Sequence, residues 1–162
     1  ILGKYKNKFH IEQPFYCDYG YNIEIGENFC SNHNLLILDS AKVKIGNDVF
    51  FGPSCMILTP LHPLLWEERK IRTRDNGELY DLEYAAPITI EDGCWIASGV
   101  KICGGVTIGK GSVIGAGSVV TRDIPPGVIA AGNPCKVIRE ITEADSMYNK
   151  EELFAGAFRG KR

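Results

Sequence analysis

Ile88-Thr-Ile-Glu-Asp-Gly93-Cys-Trp-Ile-Ala-Ser-Gly99-Val-Lys-Ile-Cys-Gly-Gly105-Val-Thr-Ile-Gly-Lys-Gly111-Ser-Val-Ile-Gly-Ala-Gly117-Ser-Val-Val120 carries an aliphatic residue at every sixth position: Ile90, Ile96, Ile102, Ile108, Ile114 and Val120. Four residues after each of the first five stand Cys94, Val100, Val106, Ser112 and Ser118, all small or β-branched. Each period therefore has two candidate core positions. An amphipathic helix would repeat near 3.6 residues and an ordinary half-buried strand at two, so neither accounts for a strict six. A short strand followed by a corner does. Such a unit cannot bury its apolar face alone, so successive coils must stack and line up their aliphatics along a shared interior.

The period extends upstream, as Ile25, Ser31 and Ile37, and after a two-residue slip as Ile45, Phe51 and Ile57. Gly or an acidic residue often follows the periodic aliphatic, as in Ile25-Gly26, Ile45-Gly46 and Ile90-Glu91, which suits a tight corner. The whole chain, 1–162, reads as a single domain. Its net charge of -2 gives no reason to expect nucleic acid or an anionic membrane as partner. No apolar run is long enough to cross a bilayer. Cys17, Cys30, Cys55, Cys94, Cys103 and Cys135 form no CxxC pair. They read as reduced thiols, several at small buried positions, which points to the cytoplasm. The chain starts at Ile1 rather than Met, so residues are expected upstream of it.

Two segments break the period. From His62 to Pro87 the residues turn charged and aromatic, with Trp66-Glu-Glu-Arg-Lys70 and Arg72-Thr-Arg-Asp-Asn-Gly77, which reads as an inserted loop over 62–87. Loops of this length in compact domains are commonly functional, and this one begins at a histidine. Near the end, Thr142-Glu-Ala-Asp145 has the pattern of a capping box and predicts a helix from about 143 to 154, closing the end of the solenoid.

Ile88-Thr-Ile-Glu-Asp-Gly93, Val106-Thr-Ile-Gly-Lys-Gly111 and Val113-Ile-Gly-Ala-Gly-Ser118 resemble the hexapeptide repeats of left-handed β-helix acyltransferases. Thr59-Pro-Leu-His-Pro-Leu64 resembles the histidine-proline element of the maltose, galactoside and nodulation-factor O-acetyltransferases. Phe15-Tyr-Cys-Asp-Tyr-Gly20, Asn22-Ile-Glu-Ile-Gly26, Asn32-His-Asn-Leu-Leu-Ile-Leu-Asp39 and Ala131-Gly-Asn-Pro-Cys-Lys-Val-Ile-Arg139 follow that group in the same order. The resemblance implies an all-β fold, a left-handed parallel β-helix over about 15–141 with the inserted loop and the C-terminal helix. The left hand comes from the resemblance, since parallel crossovers are normally right-handed.

It also implies an O-acetyltransferase that moves acetyl from acetyl-CoA to a hydroxyl of a sugar or glycoside, without a metal, in a homotrimer with sites between subunits. A thioester is already activated, so a positioned base suffices. His62 fills that role by resemblance, and imidazole chemistry suits it. Ser98 is the implied backbone donor to the oxyanion. Asp18 and Asn32 fall on acceptor positions, although Asp and Asn are also ordinary corner residues. Two further acceptor positions of the family fall on Ser40 and Leu79. Trp95, Ala116, Thr121, Arg122, Lys136 and Arg139 fall on donor positions, where cations would meet the phosphates of CoA. Trp95, beside periodic Ile96 in a corner, equally suits packing against another subunit.

A zinc-dependent relative on this fold would need three converging histidines, and His10, His33 and His62 have no such spacing. The long loop offers Arg72, Arg74, Glu78, Tyr80 and Glu83 to line a pocket and to alter the acceptor. An antibiotic, a serine or an amino-sugar nitrogen therefore stands as an alternative acceptor. A non-catalytic scaffold would explain the repeats but not the coincidence of His62, Asn32, Asp18 and the basic end.

Overall fold

The computed structural model describes residues 2–150. Short parallel strands wind into stacked coils around a three-sided solenoid. The first face carries Lys4–Tyr5, Ile23–Ile25, Val43–Ile45, Ile88–Ile90 and Thr107–Ile108. The second carries Phe9–Ile11, Phe29–Ser31, Phe50–Phe51, Trp95–Ile96, Val113–Ile114 and Val128–Ala131. The third carries Phe15–Cys17, Leu35–Leu38, Met56–Leu58, Lys101–Cys103 and Val119–Val120. The solenoid begins ahead of Phe15, because Lys4 and Tyr5 already pair with Glu24 and Ile25.

The six-residue period becomes three interior ladders. Ile25, Ile45, Ile90 and Ile108 are register partners on the first face, with Ile124 bridged to Ile108. Ser31, Phe51, Ile96, Ile114 and Ala130 line up on the second, and Cys17, Ile37, Ile57, Ile102 and Val120 on the third. Ile96, Ile102, Ile108 and Ile114 are each fully buried, a change worth roughly 1.5–3 kcal/mol per side chain. The second predicted core position is confirmed too: Cys94, Val100, Val106, Ser112 and Ser118 are buried. The polar members are accommodated locally. Ser112 Oγ donates to Pro125 O at 2.7 Å and accepts from Val128 N at 3.3 Å.

The corners are built differently from the sequence expectation. Gly26 and Gly46, which follow periodic isoleucines, do not take positive φ. They are places of close approach: a Cβ on Gly26 would stand 2.4 Å from the carbonyl carbon and oxygen of Gly46. The left-handed backbone falls elsewhere, on Asn28, Asp48 and Gly93 at one corner and on Asn34, Ser54 and Gly99 at the next. Asn and Asp tolerate that region better than other side chains, which explains their use in the early coils.

The insertion is an arm rather than an irregular loop. Pro60–Leu61 pairs antiparallel with Tyr84–Ala85, and Arg72–Thr73 with Leu79–Tyr80 nearer its tip. Arg74 N donates to Glu78 O, closing the tip, and Arg74 also forms an ion pair with Glu78.

The expected helix over about 143–154 is a correction. Residues 143–149 form two separate 3-10 turns, Glu143–Asp145 and Met147–Asn149, and residues 151–154 lie outside the described residues. Ser146, with ψ 126°, takes the chain out of helical geometry between them. The end of the second face is instead covered by Lys136–Glu140, which runs antiparallel to Val128–Ala131 with a bulge at Ile129/Ala130. Among the described residues no helix is long and apolar enough to cross a membrane.

Candidate active site

The corner that launches the arm is tied down before it reaches the histidine. Thr59 is buried; its Oγ1 donates to Leu38 O at 2.7 Å and accepts from Ala41 N at 3.0 Å. Ala86 N donates to Thr59 O at 3.0 Å, so the arm leaves and returns at one anchored point. Continuing the Pro60–Ala85 and Leu61–Tyr84 register by one residue puts His62 across from Glu83. The imidazole is half exposed, at 50%, with Nδ1 3.8 Å from Asp81 Oδ2 and Nε2 3.9 Å from Glu83 Oε1. One carboxylate thus stands at each ring nitrogen. Neither contact is short enough to be a hydrogen bond.

The predicted site residues fall on two edges of the prism. Asp18, His62, Thr121 and Arg122 follow third-face strands and lie at the corner leading to the first face. Asn32, Ser98 and Ala116 follow second-face strands and lie at the corner leading to the third. Trp95 is not in a corner: it occupies an outward position of the second face, 54% exposed. Lys136 and Arg139 sit on the antiparallel strand at the end of that same face. The two edges are separated by the width of the third face, whose four-residue strand Leu35–Leu38 alone spans roughly 10 Å or more. Within one chain, then, His62 and Ser98 stand at different edges.

Each edge is locally organised. Beside Asp18, the buried Asp39 carboxylate accepts from Tyr19 N at 2.9 Å and Asn22 N at 3.3 Å, holding the turn that follows. On the other edge Asn32 Oδ1 accepts from His33 N at 2.9 Å. Gly52 packs under Ser98: a Cβ there would stand 2.6 Å from Ser98 N. Among the described residues the Ser98 N–H donates to no protein acceptor, which leaves it available to a ligand.

Arg139 is already engaged. It makes two 2.7 Å bonds to the Asp145 carboxylate and donates to Glu140 O. The guanidinium, with help from Thr142 N–H, holds the Asp145 carboxyl well below the usual carboxylate range. A phosphate reaching Arg139 would compete with that pair. Lys136 and Arg122 are exposed. Among the described residues no three His, Cys, Asp or Glu side chains group as metal ligands.

Sequence reasoning passed over Asp81 and gave Glu83 only a general place on the arm. The signal available was the alternation of the two acids in Asp81-Leu-Glu83, which places both on one face of an extended strand.

Residues 87–122 match the bacterial transferase hexapeptide (six repeats) family. A putative acetyltransferase of Saccharomyces cerevisiae is 59% identical over 90% of this chain and 70% of its own length. The galactoside O-acetyltransferase of Escherichia coli is 51% identical over 85% of this chain and 64% of its own length. A galactoside acetyltransferase solved in complex with coenzyme A has a TM-score of 0.79 at 47% identity, covering 89% of this chain and 68% of that one. A maltose O-acetyltransferase from Clostridium difficile has a TM-score of 0.76 at 45% identity, covering 88% and 71%. The repeats, the left-handed solenoid these structures share with it and the level of identity lead to one conclusion: the chain belongs to the hexapeptide-repeat O-acetyltransferases of the galactoside and maltose type, whose acetyl donor is acetyl-CoA.

Proposed function

We propose that the protein transfers acetyl from acetyl-CoA to a hydroxyl of a sugar or glycoside, with His62 as general base, in a homotrimer whose active sites form between subunits. The observation that carries this reading is the division of the site between two edges. The base and one acceptor residue, His62 and Asp18, lie on one; Asn32, Ser98 and the donor-side Trp95, Lys136 and Arg139 lie on or beside the other. A cyclic, head-to-tail assembly sets the first edge of one subunit against the second edge of the next.

The outer surfaces support such an assembly. The first face is polar, with Lys4, Glu24, Lys44, Thr89 and Thr107 in register and Lys42 paired to Glu24 at 2.8 Å. The other two are apolar. The second presents Cys30, Phe50, Trp95, Val113 and Ile129. The third presents Tyr16, Leu36, Met56 and Val119, with Lys101. Exposed aromatics such as Phe50, at 53%, and Trp95 are what subunit contacts commonly bury.

In the reaction His62 removes the proton as the acceptor oxygen bonds to the thioester carbonyl carbon. The carbonyl oxygen becomes an oxyanion and is met by the Ser98 N–H. Collapse breaks the carbon–sulfur bond, and the proton on His62 passes to the departing sulfur, giving the acetyl ester and free CoA. Asp18 and Asn32 hold neighbouring acceptor hydroxyls; Thr121, Arg122, Lys136 and Ala116 line the path of the donor. The six free thiols suit a reducing compartment such as the cytoplasm.

The test is the release of CoA thiol from acetyl-CoA in the presence of maltose or p-nitrophenyl β-galactoside. His62→Ala should lose nearly all turnover while keeping the wild-type oligomeric mass. Full activity in that variant would remove His62 from the mechanism.

A further inference from the structure

We propose that Asp81 is the positioning residue of His62, selecting the imidazole tautomer that can act as base, and that Glu83 contacts the acceptor. This rests on the reading of His62 as the base.

The arm's register is the starting point. Pro60 opposes Ala85 and Leu61 opposes Tyr84, so His62 opposes Glu83, and Asp81, two residues on, is its diagonal neighbour on the same side of the ribbon. The side chains follow that placement, with Asp81 Oδ2 3.8 Å from Nδ1 and Glu83 Oε1 3.9 Å from Nε2. All three are about half exposed, so they stand at an open surface to which a ligand has access.

The two nitrogens are not equivalent. Nδ1 is crowded by its own backbone, whereas Nε2 is the distal atom and the one an incoming hydroxyl reaches. A base at Nε2 requires the proton on Nδ1, and imidazole in water prefers the opposite tautomer. A carboxylate that accepts the Nδ1–H bond reverses that preference once Glu83, at 3.9 Å from Nε2, is engaged by the acceptor instead of the ring. Asp81 is the group in that position. At 3.8 Å the bond is open in the unliganded chain, and catalytic hydrogen bonds commonly tighten only when the substrate is bound.

Glu83 has a different task because of where it stands. A hydroxyl arriving at Nε2 enters the space within reach of Glu83 Oε1, and a carboxylate there accepts a bond from a second hydroxyl on the same acceptor. A vicinal diol, the repeating feature of a pyranose, can make both contacts at once. The pair of acids therefore gives the arm a direct part in recognising a polyhydroxylated acceptor.

The experiment has two readouts. With p-nitrophenyl β-galactoside as acceptor, Asp81→Asn should lower kcat by at least ~10-fold with KM for acetyl-CoA unchanged, and Asp81→Glu should recover part of the loss. Glu83→Gln should raise the acceptor KM by ~10-fold with kcat altered far less. As a second, spectroscopic readout, nitrogen-15 NMR of the three histidines with p-nitrophenyl β-galactoside bound should find His62 in the Nδ1–H form, shifting toward Nε2–H in Asp81→Asn. Wild-type kcat together with an unmoved tautomer in Asp81→Asn overturns the proposal. An active His62→Ala would instead overturn the base assignment itself, whereas an inactive His62→Ala beside an unaffected Asp81→Asn would sink only the positioning role.

Discussion

Replacing Gly52 with alanine tests the link between coil spacing and chemistry. The added methyl would lie 2.6 Å from Ser98 N and 2.9 Å from Ser98 Cα and Oγ. Ordinary contact needs about 3.4 Å or more, so the two coils must part by roughly 0.8 Å at that corner. Overpacking of this kind costs about 1–3 kcal/mol, partly offset by the ~0.4–1 kcal/mol that Gly→Ala gains from a stiffer unfolded chain. The effect on the reaction is larger. If the Ser98 N–H stabilises the oxyanion, a displacement near 1 Å should lower kcat by ~10²-fold, while the protein stays folded. Gly26→Ala is the matched control: its methyl would meet the Gly46 carbonyl at 2.4 Å, at the corner between the first and second faces, away from both site edges. The two variants should lose similar stability in urea, and only Gly52→Ala should lose turnover in the thiol-release assay. Wild-type kcat in a folded Gly52→Ala protein would refute the role given to Ser98.

Among the described residues the buried Ser31 hydroxyl finds no hydrogen-bond partner, so Ser31→Ala should leave the fold intact and raise the urea midpoint by the equivalent of ~1 kcal/mol. Cys55 and Cys94 are fully buried and burial pushes both thiols up, so iodoacetamide at pH 8 should label them only at the rate of unfolding, as read by peptide mass spectrometry. Labelling of Cys94 as fast as a free peptide thiol would contradict its place in the core. Because Asp145 is held well below the usual carboxylate range by Arg139, the pair contributes at neutral pH and is lost only as pH falls through that lowered value. Hydrogen exchange at Asp145 N and Ser146 N should therefore stay slow down to about pH 4, the usual carboxylate range, and accelerate in Asp145→Asn at all pH values.

The solenoid was legible because its determinant is local and repetitive: Ile90, Ile96, Ile102, Ile108, Ile114 and Val120 became register partners or successive ladder positions as the period required. The corners were less so, since the period marks which residues lie inside but not which backbone turns left-handed. Gly26 directly follows a periodic isoleucine and permits close approach, whereas Gly93, three residues after one, supplies positive φ. The insertion was legible as a loop but its strand pairing was not, because its strands are two residues long and lack apolar alternation; the pairings of Pro60–Leu61 with Tyr84–Ala85 and of Arg72–Thr73 with Leu79–Tyr80 define it. The capping-box signal at Thr142 was sound locally, and Thr142 N does donate to Asp145, but nothing in it reports where the helix stops. The residues of the proposed site were found through resemblance. Their division between two edges was invisible until the topology placed His62 after a third-face strand and Ser98 after a second-face strand.

That division gives the most direct measurement. Chains carrying His62→Ala and chains carrying Gly52→Ala, each nearly inactive alone, are unfolded together in equal amounts and refolded, and CoA thiol release is compared with the wild type. If each site takes its base from one subunit and its oxyanion donor from the next, a random trimer rebuilds about a quarter of its sites with both edges intact. The account predicts recovery to about a quarter of wild-type turnover. Activity no higher than the mean of the two variants alone would contradict a site shared between subunits.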